Sequence, residues 1–132
     1  MSKLACCCGH VIVDQTDDLP YKASLLRNQE ESIFQERTQD SVKRLLKAVG
    51  NNGLDQLVVE QYGNTPWRPR PDELFQDQFT SIQVASMTSL YECQNCGRLW
   101  VQRPGSQQFA SFTPDSGQYL AVLANPVPET PE

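Results

Sequence analysis

The chain has 132 residues, of which 39% are hydrophobic and 20% are charged, and its formal net charge is −5. This length and composition are typical of one soluble globular domain with a modest core. A surplus of negative charge repels phosphate backbones, so nucleic acid is a poor first candidate for a partner. No apolar run approaches the roughly 18 residues that a transmembrane helix needs, which argues against a membrane protein.

The N-terminal sequence MSKLACCCGHVIVD contains no sustained apolar segment and no small-residue cleavage site. It therefore does not resemble a secretory signal peptide, and we expect a cytoplasmic protein. In that compartment thiols stay reduced, so clustered cysteines bind metal more often than they form disulfides.

The first half of the chain predicts short strands followed by a helix. Residues 10–14 and 21–26 are predicted to be extended, and the acidic segment 14–20 between them has the composition of a turn. Asn28, followed three residues later by Glu31, is typical of a helix start, and Gly50 of a helix end. The polar stretch in the middle indicates a possible break near residues 40–41.

The second half is predicted to be mostly β-structure. Residues 54–62 fit either a helix or a strand, and the proline-rich segment 63–73 is expected to be irregular. Trp67 is expected to anchor that segment on the core rather than to bind a partner. Extended structure is predicted from Ser81 onward, in four segments at 81–92, 98–102, 108–112 and 117–123.

Together these elements predict an α+β fold in which one main helix packs on a small antiparallel sheet. Residues 1–124 are expected to form a single domain. Residues 125–132, which read NPVPETPE, are expected to be a flexible proline-rich tail.

The second group of cysteines has the form of a zinc knuckle. Cys93 and Cys96 are separated by two residues and followed by Gly97, between two predicted strands. This spacing lets two sulfur atoms converge on one tetrahedral ion, and glycine gives the turn the backbone freedom it needs. A thioredoxin-type redox site is disfavoured because the motif does not begin a helix in a βαβ unit.

The other half of the site must come from the N-terminal run Cys6-Cys7-Cys8. Side chains at positions i and i+2 of an extended chain point to the same side, so Cys6 and Cys8 face one ion while Cys7 faces away. The predicted ligands of one structural Zn²⁺ are therefore Cys6, Cys8, Cys93 and Cys96. His10, the only histidine, is the alternative ligand in place of Cys6. Four thiolates leave no open coordination position for catalysis.

The combined pattern resembles a group of small bacterial zinc-ribbon proteins. The matching residues are the CxCG opening at Cys6, the DQTD and YKA segments at Asp14 and Tyr21, the CxxCGRLW segment at Cys93, and the Ser-Phe pair at Ser111. The resemblance covers roughly residues 6–23 and 91–114. It implies a zinc-ribbon fold and a loose association with immunity proteins that neutralise antibacterial toxins.

No nucleophile–base set or phosphate-binding glycine loop is visible, so we expect a protein that is not an enzyme. The first hypothesis is a cytoplasmic immunity protein, monomeric before binding, that occludes a toxin domain with a basic cleft. The alternative is a zinc-ribbon module that binds nucleic acid or the ribosome through Trp67, Arg68, Arg70 and the Arg98–Trp100 segment. An enzyme whose polar residues meet only in the folded chain is the third possibility.

Overall fold

The computed structural model describes residues 3–126. These residues fall into two units, one formed by the chain up to Leu25 together with the chain from Thr88 onward, and the other by Leu26–Met87. In chain order the second unit is inserted between the two halves of the first. The single domain proposed for residues 1–124 stays a prediction. Most of the predicted tail, residues 127–132, lies outside the described residues.

The first unit contains six short strands in two antiparallel arrangements. Strands β1 (Lys3–Ala5) and β2 (Val11–Val13) form a hairpin in which Leu4 lies opposite Ile12. The other four strands form a sheet in the order β3-β4-β5-β6. Their bounds are Lys22–Leu26 for β3, Met87–Glu92 for β4, Leu99–Gln102 for β5 and Phe109–Phe112 for β6.

The register of this sheet assigns its residues to two faces. Tyr91 pairs with Trp100, and Trp100 pairs with Ser111. One residue along each strand, Glu92 pairs with Leu99. Because successive side chains of a strand point to opposite faces, Tyr91 and Trp100 share one face while Glu92 and Leu99 share the other.

The core of the first unit lies on the face of Tyr91. Its buried members are Cys6, Ile12, Tyr91 and Cys93, with exposures of 5%, 2%, 3% and 0%. Trp100 and Phe109 pack against this cluster, and the rings of Tyr91 and Phe109 are 5.8 Å apart. Cys6 and Cys93 are therefore part of the apolar core as well as possible metal ligands.

The second unit consists of three helices with a separate core. They are α1 (Asn28–Gly50), α2 (Leu54–Tyr62) and α3 (Pro71–Ser86). Their buried residues are Leu45, Ala48, Leu57, Val58 and Leu74. Ser41 of α1 donates a buried hydrogen bond to the Gln78 side chain of α3. No helix among residues 3–126 is both long and apolar enough to cross a lipid bilayer.

The sequence predicted the α+β class and the antiparallel pairing, which the structure confirms. The prediction of one main helix was wrong, because α2 and α3 also form. Helix α1 covers the predicted span and runs without a break at residues 40–41. The strand predicted at 117–123 does not form; this segment has bends and a turn but no strand.

Helix α3 was not predicted, because the segment 63–73 is rich in proline and the segment from Ser81 onward has the composition of a strand. Pro71 is the first residue of the helix, where proline loses no hydrogen bond and its fixed φ suits the helix. The Glu73 carboxylate accepts a hydrogen bond from the backbone N–H of Arg70 at 2.9 Å, which caps this end. The helix then continues to Ser86, so the predicted strand from Ser81 was wrong over its first residues.

Candidate metal centre

The four predicted ligands lie in two hairpin turns of the first unit. Cys6 and Cys8 lie in the turn between β1 and β2, and Cys93 and Cys96 in the turn between β4 and β5. Each turn repeats the same backbone pattern, in which a cysteine N–H donates across the hairpin: Cys6 to the His10 carbonyl and Cys93 to the Arg98 carbonyl, both at 2.9 Å. The two turns therefore present their sulfur atoms in similar ways.

The four sulfur atoms converge on one point. The Sγ atoms of Cys6 and Cys96 are 3.6 Å apart, as are those of Cys8 and Cys93. All four lie within 4.8 Å of one another. Four sulfurs at the usual Zn–S distance of about 2.3 Å from one ion would be about 3.8 Å apart in a tetrahedron. A disulfide needs about 2.05 Å, so the group has the spacing of metal ligands rather than of a disulfide.

Cys7 and His10 do not join this group of sulfur atoms. Cys7 is exposed and is not among the clustered sulfurs, as the alternation of side chains predicted. His10 contributes its backbone carbonyl to the turn, but its imidazole is not in the ligand cluster identified over residues 3–126. The alternative with His10 in place of Cys6 therefore has no geometric support.

Glycines close both turns in conformations that other residues rarely adopt. Gly9 has a φ of 98° and Gly97 a φ of 79°. At Gly97 a Cβ would lie 2.3 Å from the carbonyl oxygen of Gln118, which is far inside van der Waals contact. Glycine is thus required at residue 97 by both its backbone angle and the adjacent chain.

The surroundings of Cys8 and Cys93 shift the pKa values of these two thiols in opposite directions. The Asn95 amide donates a hydrogen bond to the Cys8 sulfur at 3.4 Å, and with a hydrogen bond from the His10 backbone this lowers the pKa of Cys8 to about 6. Burial raises the pKa of Cys93 to about 12. A bound cation removes this difference, because coordination deprotonates a thiol outright. The donor set therefore fits a soft cation such as zinc.

A buried indole supplies a further hydrogen-bond donor beside the sulfurs. The Nε1 atom of Trp100 is buried and has no hydrogen-bond partner of ordinary length among residues 3–126. Burial opposes ionisation of Cys6, but hydrogen bonds from the backbone of Cys8 and the indole of Trp100 outweigh it and lower the pKa of Cys6. An indole N–H beside a thiol suits a metal site, since N–H donors stabilise the charge of a thiolate.

Sequence reasoning found the sulfurs but not these donors. Their positions in the sequence could have indicated Asn95 and Trp100 as neighbours of the sulfurs. Asn95 lies inside the CxxC turn, and Trp100 lies four residues after Cys96. Whether the N–H groups of these two side chains point toward a sulfur depends on how the hairpin folds.

Asp14, at the start of the acidic turn that precedes β3, stabilises the fold through its side-chain contacts. Lys22 forms an ion pair with Asp14 at 2.7 Å, and the Tyr91 hydroxyl donates a hydrogen bond to the same carboxylate. Tyr21 donates from its hydroxyl to the carbonyl of Val13. Through these contacts, the motif residues Asp14, Tyr21 and Lys22 connect β2 and β3 to β4.

A model of a family described as a domain of unknown function (DUF8617) matches residues 2–116. The chain belongs to this family. The DUF8617 match spans both cysteine turns and all three helices. No curated protein and no solved structure matches the chain.

Proposed function

We propose that Cys6, Cys8, Cys93 and Cys96 bind one structural Zn²⁺ ion in a zinc-ribbon arrangement of two knuckles. The observation that carries the proposal is the convergence of four sulfurs within 4.8 Å from two hairpin turns. Four thiolates suit zinc in charge, softness and geometry. They also fill all four tetrahedral positions, so the ion holds the fold rather than activating water.

Metal analysis of the purified protein tests this proposal. We expect one zinc per chain, and we expect Cys93→Ser to lose the metal and much of its stability, since structural zinc contributes on the order of 10 kcal/mol in small domains. Cys7→Ser is the matched control, because Cys7 adjoins two of the ligands yet is exposed and outside the cluster. A protein that holds no metal, and is equally stable with Cys93→Ser, would contradict the proposal.

The function that this arrangement supports best is binding to another protein without catalysis. A coordinatively closed ion offers no reaction centre. With four thiolates and one zinc the net charge would fall from −5 to about −7, which favours association with a cationic surface. With the resemblance to toxin-associated zinc-ribbon proteins, this supports a cytoplasmic immunity protein that occludes a toxin domain with a basic cleft.

The contacts of the basic side chains favour a protein partner over nucleic acid. Arg68 pairs with Asp55 at 3.3 Å, and Arg98 donates to the Ser111 hydroxyl at 3.0 Å. Arg70 pairs with two acids of its own helix start. Guanidinium groups engaged in this way are less available for phosphates, on which nucleic-acid affinity mostly depends.

Co-purification with an effector encoded next to this protein, followed by calorimetry, tests the proposed function. We expect a one-to-one complex that weakens as salt is raised, because attraction between opposite charges is screened. A salt-sensitive shift with RNA or DNA, lost when Arg98 and Arg103 are both changed to Gln, would instead support the nucleic-acid alternative. The absence of any complex with the neighbouring effector would count against the immunity proposal.

A further inference from the structure

A row of three side chains crosses the sheet on the face opposite the cysteine core. Glu92 of β4 pairs with Leu99 of β5, and Leu99 pairs with Phe112 of β6. Together with the segment that follows β6, this row encloses a cavity of about 170 Å³ in the first unit. The cavity is lined by Glu92, Gly97, Leu99, Phe112, Thr113, Pro114, Leu120 and Val122.

The walls of this cavity are apolar and accessible. Phe112, Leu120 and Val122 are 58%, 56% and 62% exposed. Three large apolar side chains that remain exposed around one opening are typical of a binding surface. The volume is below the range of about 300–1,000 Å³ that is usual for sites of small organic ligands. It is suited to one inserted side chain.

The acidic residue of the cavity is buried and incompletely paired. Glu92 is 2% exposed, and its carboxylate accepts one long hydrogen bond, from the backbone N–H of Leu123 at 3.5 Å. None of the ion pairs found among residues 3–126 includes Glu92. A carboxylate accepts about four hydrogen bonds, so most of its capacity is unused. Buried charges are normally paired, since leaving them unpaired is costly.

We propose that this cavity receives an arginine or lysine side chain of a partner protein. The aliphatic stem of such a side chain packs against Leu99, Leu120 and Val122, while its cationic end pairs with the Glu92 carboxylate. The ring of Phe112 at the rim adds a surface that attracts cations. The inference deepens the proposed function, on which it rests for the nature of the partner: a basic protein surface inserts one cationic anchor here.

Short peptides test the cavity without the partner. The probes are acetyl-Gly-Arg-Gly-amide, the same peptide with lysine, and the same peptide with citrulline, which has nearly the shape of arginine but no charge. We expect the charged peptides to shift the amide NMR signals of Glu92, Leu99 and Phe112, and the citrulline peptide to bind at least about tenfold more weakly. The arginine and lysine arms distinguish a bidentate guanidinium contact from a simple ammonium contact. Equal binding of the citrulline peptide would overturn the proposal, because the cavity would then be only an apolar surface.

Two variants assign the effect to the cavity. Glu92→Gln keeps an oxygen that accepts from Leu123 but removes the charge, and we expect it to weaken the arginine peptide at least about tenfold. Asp115→Asn is the control, since it removes the same charge from an exposed residue next to the cavity-lining Pro114. It should change the affinity by no more than about twofold.

A further variant keeps the test valid if Glu92→Gln does not fold, which thermal unfolding would reveal. Leu120→Ser removes an exposed wall of the cavity and should weaken the arginine peptide severalfold. Unchanged affinity in the folded variants would overturn the proposal. The peptide assay does not need the partner, so the two proposals can fail separately. If the peptides do not bind but the effector complex forms, only the cavity proposal is refuted. Peptide binding without any effector complex refutes the immunity role instead.

Discussion

Two sulfur atoms of the candidate metal centre lie beside side-chain N–H donors that differ in kind. Asn95 donates a side-chain amide to Cys8, while Trp100 places a buried indole N–H beside Cys6. Donors in this outer shell fix the orientation of a ligand and offset the charge of its thiolate. Four thiolates around one divalent cation would carry a net charge of −2, which such donors would offset in a partly buried site.

The Trp100 indole is expected to strengthen metal binding. Trp100→Phe keeps an aromatic ring in the core but removes the donor, and we expect about tenfold weaker zinc binding in a chelator competition. The thiolate-to-cobalt absorption bands of the Co²⁺ form should also shift, because the electron density on Cys6 changes. Trp67→Phe is the control, since Trp67 is 40% exposed in the helical unit and packs on Tyr62. Identical affinity and spectra for Trp100→Phe would show that the indole only fills space.

At the scale of elements, one carboxylate links three strands of the first unit. Asp14 follows β2, Lys22 begins β3, and Tyr91 belongs to β4. Lys22 and Tyr91 both contact this carboxylate, and burial of the Tyr91 hydroxyl together with its bond to Asp14 raises the pKa of that tyrosine. The Tyr91 hydroxyl thus stays protonated and acts as a donor.

This carboxylate should make stability depend on acid pH. Burial opposes ionisation of Asp14, but the hydrogen bonds from Lys22 and Tyr91 outweigh it and lower the pKa of Asp14. A lowered folded-state pKa adds stability above the unfolded value of about 3.9, and that stability is lost as pH falls through the folded-state value. We therefore expect Asp14→Asn to cost about 1–3 kcal/mol in free energy of unfolding near pH 7. The difference from the natural protein should shrink below about pH 4.

Urea unfolding of the natural protein and of Asp14→Asn at several pH values measures this difference. Protonation of the cysteines affects both proteins alike. Asp17→Asn is the control, because Asp17 is exposed in the same loop. A cost for Asp14→Asn that stays constant down to pH 3 would mean that the carboxylate is not stabilised by its ion pair.

The helices differ in how well the sequence alone predicts them. Helix α1 was predictable because apolar residues such as Val42, Leu45 and Val49 recur with helical spacing and Gly50 ends the pattern. Helix α3 was not, since its core contact depends on Leu74, which is fully buried against residues of the other two helices. Tertiary packing of this kind overrides the weak local preferences of a mixed sequence.

At the scale of the molecule, the proposed metal ligands and the helical core belong to different units. All five cysteines lie in the first unit, and the helical unit has a core of Leu45, Ala48, Leu57, Val58 and Leu74 without any of them. The first unit is built of short strands from two distant parts of the chain, whose association a shared ion would stabilise.

Metal removal should therefore affect the two units unequally. After chelation we expect amide hydrogen exchange to accelerate in residues 3–25 and 88–123, while residues 41–58 and 74–79 of the helices stay protected. Mass spectrometry of proteolytic fragments would separate these segments, with far-ultraviolet circular dichroism following the helices. Equal loss of protection everywhere would show that the ion stabilises both units as one cooperative structure.

The sequence by itself predicted which four cysteines come together. The alternation of side chains along an extended chain selects Cys6 and Cys8 and rejects Cys7, and the CxxC turn brings Cys93 and Cys96 together. It also determined the α+β class and helix α1, because these follow from local periodicity.

Only the tertiary structure decided what surrounds those ligands and what the opposite face of the sheet presents. The Trp100 indole and the Glu92 carboxylate acquire their roles from strand register, which pairs residues far apart in sequence. Register places Trp100 on the cysteine face and Glu92 on the other, and a shift by one residue would exchange them. The physical reason is that these contacts arise between strands, where no local pattern specifies the partner.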